Sequence, residues 1–297
     1  MRRREFTWAL CSLGMAPCVG ESSDPLRGPL FWLARRANAR VFILGFADAN
    51  DESWLTPPIR RAFQGSSELW LEVAPDKADS ELINEIGQES GRTFFDELEP
   101  PVRERTLAYM AALGIKNESI KTQRPWRAFY TINSAFWSQN KPPYQEVYAD
   151  QVLRELAQSE GKRIHYEMPT GEAFARFMAG MPDKAQGQYI EWLLDFLDEH
   201  KKGLDTVPFS WISGKPTASR RSLERMRTKM PDLYRVIQAQ RNAWWARKID
   251  ELLRAGGTYF IAVGLLHVLG ADGIPTQLRR LGVVSPSGLG ENPAVGR

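Results

Sequence analysis

The chain has 297 residues, 43% of them hydrophobic, enough to bury a sizeable core within one domain. Its 39 Lys plus Arg are nearly balanced by 36 Asp plus Glu, leaving a formal charge of +3. That excess is too small for a surface built to neutralise phosphates, so nucleic acid is not an expected partner.

Residues 1–22 read as a signal peptide. Arg2, Arg3 and Arg4 precede an apolar run from Phe6 to Ala16, followed by small and polar residues. The run is shorter than the roughly 20 apolar residues of a membrane span. Membrane contact is therefore expected only through this segment, and the mature protein is expected in the periplasm or outside the cell. Arg3-Arg4-Glu5-Phe6 also fits a twin-arginine export signal. Both cysteines, Cys11 and Cys18, fall here, so a chain beginning after them has no disulfide, no thiol nucleophile and no Cys-ligated zinc. Pro17 before Cys18 departs from the small residue that lipid attachment prefers.

Strands are predicted at residues 41–44, 69–73, 164–168 and 259–263, short runs each followed by Gly, Pro or both. Thr56 before Pro57 reads as a helix start, a capping hydroxyl ahead of proline at the first helical position. Further helices are predicted at about 79–89, 101–113, 143–160, 170–180, 182–201 and 217–229. The longest, 231–255, opens at Pro231, closes at Gly256-Gly257, and carries Ile237, Trp245, Ile249 and Leu252 along one face. Strands alternating with helices predict an α/β fold, a helix-rich domain over 28–284 around a small mixed or split β-sheet. Residues 285–297, rich in Gly, Pro and Ser, read as a disordered tail.

Two segments repeat a pattern. Phe42-Ile43-Leu44-Gly45 and Phe260-Ile261-Ala262-Val263-Gly264 are apolar strands ending in glycine; three residues past each glycine stands a potential ligand, Asp48 and His267, and fifteen and sixteen residues past it stand paired arginines. They read as two strand-turn-helix units that bring these turns together. In such folds ligands gather where strands end and helices begin.

Glu72, near the end of an otherwise apolar strand, must find a cation or donors if buried. Arg241, between Ile237 and Trp245 on the apolar stripe of the long helix, needs a carboxylate or anionic partner. The four residues form a candidate polar cluster able to hold a divalent ion and activate water, with Glu72, Arg241 and His267 as catalytic candidates and Asp48, Glu72 and His267 as metal ligands. Each has a packing reading as well: a core histidine, a turn aspartate, and an ion pair between Glu72 and Arg241. Tryptophans 192, 244 and 245 sit at helical core spacing rather than along an aromatic groove, His200 reads as a helix-end cation, and His165 with Glu167 as pocket or surface polarity. No glycine-rich phosphate loop or serine-hydrolase elbow occurs, and no organic cofactor is expected.

Residues 41–75 and 241–282 carry a family resemblance: strand, Gly-Phe-Ala-Asp, Thr-Pro-Pro and Leu-Trp-Leu-Glu-Val in the first, Arg-Asn and Val-Gly-Leu-Leu-His-Val-Leu-Gly-Ala-Asp-Gly in the second. With Ala149-Asp150, Tyr166-Glu167 and Trp211-Ile212-Ser213-Gly214 between them, the sequence resembles the TraB/GumN family, related to the Tiki metalloproteases, over most of 30–283. The resemblance implies a site of two Gly-x-x-His motifs, a glutamate and an arginine supporting metal-dependent hydrolysis of peptides or other small polar substrates. It maps onto Gly264 and His267, Glu72 and Arg241, with Glu167 a further recurring acidic position. The first motif departs from the pattern, with Asp48 where the family has histidine. Two readings follow: a harder site that shifts preference from Zn toward Mn, Mg or Ca, or an inactive TraB-like binding or regulatory domain.

Overall fold

The computed structural model describes residues 28–75, 80–89, 91–140, 147–203, 211–283 and 287–288. The predicted signal peptide and most of the predicted tail lie outside them.

A single mixed sheet organises the chain. Its strands are β1 (Phe31–Arg36), β2 (Ala39–Phe46), β3 (Glu68–Val73), β4 (Arg163–Met168) and β5 (Thr258–Gly264), with Ser287–Gly288 a two-residue sixth, β6. Their spatial order is β4-β3-β5-β2-β1-β6. β1 and β2 form an antiparallel hairpin, whereas β2–β5, β5–β3 and β3–β4 all pair in parallel. β5 is therefore paired on both sides, and its residues Tyr259 to Gly264 are buried throughout, as parallel central strands require.

Helices supply the rest: α1 (Pro57–Gln64), α2 (Ser80–Ile86), α3 (Pro100–Ala112), α4 (Pro125–Gln139), α5 (Ala149–Ser159), α6 (Gly171–Ala179), α7 (Asp183–Lys201) and α8 (Thr217–Lys229). They are followed by α9 (Pro231–Tyr234), a π-helical segment (Arg235–Gln240) and α10 (Arg241–Ala255), with α11 (Ile274–Arg280) after β5. The core is rich in large rings: Trp54, Trp126, Trp211 and Trp245 are all fully buried.

The expected repeat appears as two adjacent units. β2 leads to α1 and β5 leads to α11, both helices carry proline in their first turn, and β2 and β5 pair with Phe46 opposite Gly264. Several expectations are corrected. β1 and α4 were not predicted, and the helix expected at 79–89 spans only Ser80–Ile86. Thr56 precedes α1, but its side chain caps no backbone N–H. The long helix predicted over 231–255 is interrupted by π geometry, and within the predicted tail Ser287–Gly288 pair with β1.

Candidate functional site at the carboxyl edge of the parallel strands

The parallel strands end at one edge of the sheet, and the candidate residues gather there. Glu72 is the penultimate residue of β3, Glu167 that of β4, and His267 lies in a 3-10 turn, Leu265–Val268, directly after β5. The register of β3 and β4 pairs Leu71 with Tyr166 and Val73 with Met168, which puts two carboxylates, Glu72 and Glu167, side by side. Like charges at such positions repel, and something must hold them.

Arg241 does. It is 6% exposed, because Ile237, Trp245 and Ile249 bury the same face of the long helix. Its Nε and Nη2 donate to the two oxygens of Glu167 at 2.8 and 2.6 Å, and Nη2 also donates to Glu72 Oε2 at 2.6 Å. Trp245 Nε1 adds a bond to Glu167 Oε2 at 3.0 Å. One guanidinium thus clamps two carboxylates in a bidentate geometry that lysine lacks. Sequence reasoning singled out Glu72 and Arg241 but left Glu167 without a role; it is the more completely held of the two acids.

His267, 4% exposed, is fixed from behind. Its Nδ1 lies 2.6 Å from Asn242 Oδ1, and Asn242 Nδ2 donates to the Asp272 carbonyl at 2.9 Å. The carbonyl can only accept, so the Asn242 amide has its oxygen toward the imidazole and the proton sits on Nδ1. Nε2 then faces Glu72 Oε2 at 3.3 Å. Either Nε2 carries a second proton and completes an ion pair, or a lone pair meets a carboxylate oxygen, an arrangement that a shared cation satisfies. Glu72 Oε1 accepts the Gly264 backbone N–H. Burial alone would raise the Glu72 pKa, but His267, Arg241 and the Gly264 N–H outweigh it and hold the carboxyl well below its ordinary range.

The two glycines that end the strands do different things. A Cβ on Gly45 would fall 2.2 Å from Val268 Cγ2, so the β2 end must be bare for the His267 turn to pack over it. Gly264 supplies the N–H just described.

Asp48 stands two residues past the end of β2, at the same edge. It is 6% exposed, its main-chain carbonyl accepts Trp211 Nε1 at 3.0 Å, and Ala49 bridges to Val147. Among the described residues no group of three His, Cys, Asp or Glu side chains is arranged to hold a metal ion. Glu72 and His267 offer a pair of facing donors, with the Asn242 bond behind the imidazole that metal-binding histidines characteristically have. These two side chains are the facing pair of donors with which a divalent ion could be held.

His165 and His200 lie elsewhere. The first stacks on Trp70 at 4.5 Å and approaches Glu68 Oε2 at 3.2 Å; the second packs against Trp137 and Phe136. A pocket opens beside the cluster, lined by Glu72, Arg241, Gly264 and His267 and by mostly apolar side chains from α6, α7, α8 and the π segment. Trp192, expected in the core, is half-buried and lines this pocket. Trp245 is in the core as expected.

The sequence profile of the TraB/PrgY/gumN family matches residues 30–286. The chain is also similar to two curated proteins, both called uncharacterized protein YbaP, one from Escherichia coli (strain K12) and one from Shigella flexneri. Each is 25% identical over 167 residues, which is 56% of this chain and 61% of the relative. The matched region thus spans less than two thirds of those relatives' length. No solved structure matches. Among the described residues no helix is long and apolar enough to cross a membrane.

Proposed function

From the premise that the chain belongs to the TraB/PrgY/gumN family, we propose that it is a metal-dependent hydrolase for peptides or other small polar substrates, acting outside the cytoplasm. The observation that carries the reading is the facing pair: His267 Nε2 directed by Asn242 at Glu72 Oε2, 3.3 Å away, in the lining of a pocket. The arginine-rich start and apolar run of residues 2–16 support export.

A divalent ion held by His267 Nε2 and Glu72 would supply Lewis-acid polarisation and a more acidic bound water. The chain's own residues do the positioning. Asn242 fixes the ring of His267, the Gly264 N–H fixes one oxygen of Glu72, and Arg241 fixes the other while neutralising Glu167. A carboxylate held so firmly ionised is a weak base at neutral pH. Glu72 is accordingly assigned as a ligand rather than the general base, and Arg241 as the group that holds it. One imidazole with carboxylate oxygen favours Mn, Mg or Ca over Zn.

The purified chain, stripped with chelator and dialysed against each metal in turn, is expected to take up about one divalent ion, and His267→Ala to take up none. Hydrolysis of a peptide library that survives chelator, with no ion bound, would remove the proposal. Asp48, standing where the family's first motif has histidine, supports a second reading, a binding domain that keeps the fold without the chemistry. It predicts that Asp48→His creates metal affinity where the natural chain has none; equal affinity in the two proteins would sink it.

A further inference from the structure

We propose that β4 is a pairing edge, and that two copies of this chain join there through an antiparallel strand pair whose two-fold axis passes by His165. The inference is independent of the hydrolase reading, since it needs only the sheet and the sequence of its outer strand.

β4 is the last strand on its side of the sheet. The Ala74 N–H donates to the Met168 carbonyl at 3.0 Å, so Met168 turns its backbone toward β3. Alternation along the strand turns Ile164 and Tyr166 the same way and points the N–H and C=O of Arg163, His165 and Glu167 outward. Among the described residues none of these outward groups has a backbone partner. Natural sheets blunt such an edge with proline or a bulge, because a row of bare donors and acceptors is a template for another strand. Arg163–Met168 contains no proline, and its register against β3 runs without a bulge.

The strand is complementary to itself. Set antiparallel about His165, Arg163 faces Glu167 of the second copy, His165 faces its own counterpart, and Glu167 faces Arg163, so every outward N–H and C=O is paired. Sliding the pair by two residues leaves Arg163 or Glu167 without a partner from the opposite β4. The side chains agree with this register. Glu72 and Glu167 bring two negative charges against the single positive charge of Arg241, and Arg163 of the second copy adds another positive charge beside Glu167. The Arg163 side chain is 74% exposed, so it is within reach of a second copy. On the other face of the sheet Ile164 meets Tyr166 of the second copy. Both are only part-buried in the single chain, and an aliphatic side chain against a ring is a favourable cross-strand pair. His165, 38% exposed, keeps its stack on Trp70 and its Glu68 neighbour.

The test is sedimentation velocity on the full chain. One strand pair is a small interface, so the chain is expected at its single mass near ~1 µM and mostly at twice that mass near ~100 µM. His165→Pro removes the outward N–H at the centre of the pair, where an edge strand tolerates proline. It should hold the chain at its single mass near ~100 µM while leaving its melting temperature nearly unchanged. Cross-linking reads the register separately, in a chain carrying Cys11→Ser and Cys18→Ser. His165→Cys should form an intermolecular disulfide under mild oxidation, because facing residues of a hydrogen-bonded antiparallel pair have Cα atoms about 5.5 Å apart. Arg163→Cys should not, since its counterpart lies four residues along the strand, about 13 Å away. A wild-type chain that stays single near ~100 µM would overturn the inference and leave this edge to a strand from a different protein. A double-mass species that His165→Pro leaves intact, or cross-linking as fast at 163 as at 165, would overturn it too. The two cysteine variants decide the matter even if His165→Pro fails to fold.

Discussion

Arg241 shows how one side chain can decide whether a site exists. Its guanidinium is the shared partner of two carboxylates whose side chains are only 11% and 8% exposed. Removing one partner of such a buried ionic group leaves the others uncompensated, which typically costs about 3–5 kcal/mol. Arg241→Met is expected to lose stability on that scale in denaturant titrations, and the triple change Arg241→Met, Glu72→Gln, Glu167→Gln to recover most of it; a single variant as stable as wild type would show that the clamp holds nothing. The pH dependence has a definite sign. The Glu72 pKa is lowered from 4.5 in the folded chain, so its contribution is fully present above about pH 4.5 and fades as pH falls below that value. Gly45 gives a second expectation: Gly45→Ala drives a methyl into Val268 and should cost about 1–3 kcal/mol, with Val268→Ala in the same chain relieving most of the clash. Glu72, Arg241 and His267 were legible in the sequence because a charge among apolar neighbours demands a partner. Asn242 was not, since its meaning lies in what surrounds it after folding.

At the scale of elements, what the sequence revealed and what it hid follow from how each element is specified. Strands β2 to β5 are short runs bounded by turn residues, apolar in β2, β3 and β5, and were recognised. β1 was missed because its hairpin to β2 turns at Ala37, which adopts φ 46° although alanine advertises no turn. α4 was missed because its rings are spread around the helix, and the π segment because a period of 3.6 continues smoothly on both sides of it. The junction between α7 and the 3-10 helix Phe94–Glu97 carries its own prediction. Gly187 of α7 packs against the Glu97 carbonyl, and Glu97 Oε2 is buried without a partner among the described residues. Burial first, then the nearby Asp183 and Glu89 against the weaker pull of Arg92 and Arg124, push the Glu97 pKa up to about 7. Between pH 4.5 and 7 the folded chain holds a proton that the unfolded chain has lost, so stability falls as pH rises through that window. Glu97→Gln should flatten this part of the stability–pH curve and leave the protein more stable at pH 8, while matching wild type near pH 4. A wild-type curve that is already flat from pH 5 to 8 would contradict the assignment.

For the whole molecule, the order of the strands matters more than their number. The two similar units place β2 beside β5, but β3 arrives on the far side of β5 and β4 outside it, so the central strand is the last long one in the chain. Nothing local in the sequence states that order, because it is set by long helical crossovers whose endpoints are far apart. The consequence is that the sheet's carboxyl edge cannot be complete until β5 inserts between β2 and β3, and inserting it also delivers His267 and the Gly264 N–H to Glu72. The stability of the site should then track that of the central strand. Native-state hydrogen exchange is expected to be slowest for the amides of Phe260 and Ile261, which are fully buried and paired on both sides, and faster by on the order of tenfold or more in β4 at the sheet edge. Destabilising β5 by Ile261→Val should shorten protection in β2 and β3 together, as one cooperative unit. If β2 kept its protection while β5 lost it, the two halves would be separable, and a site that depends on both could open without the protein unfolding.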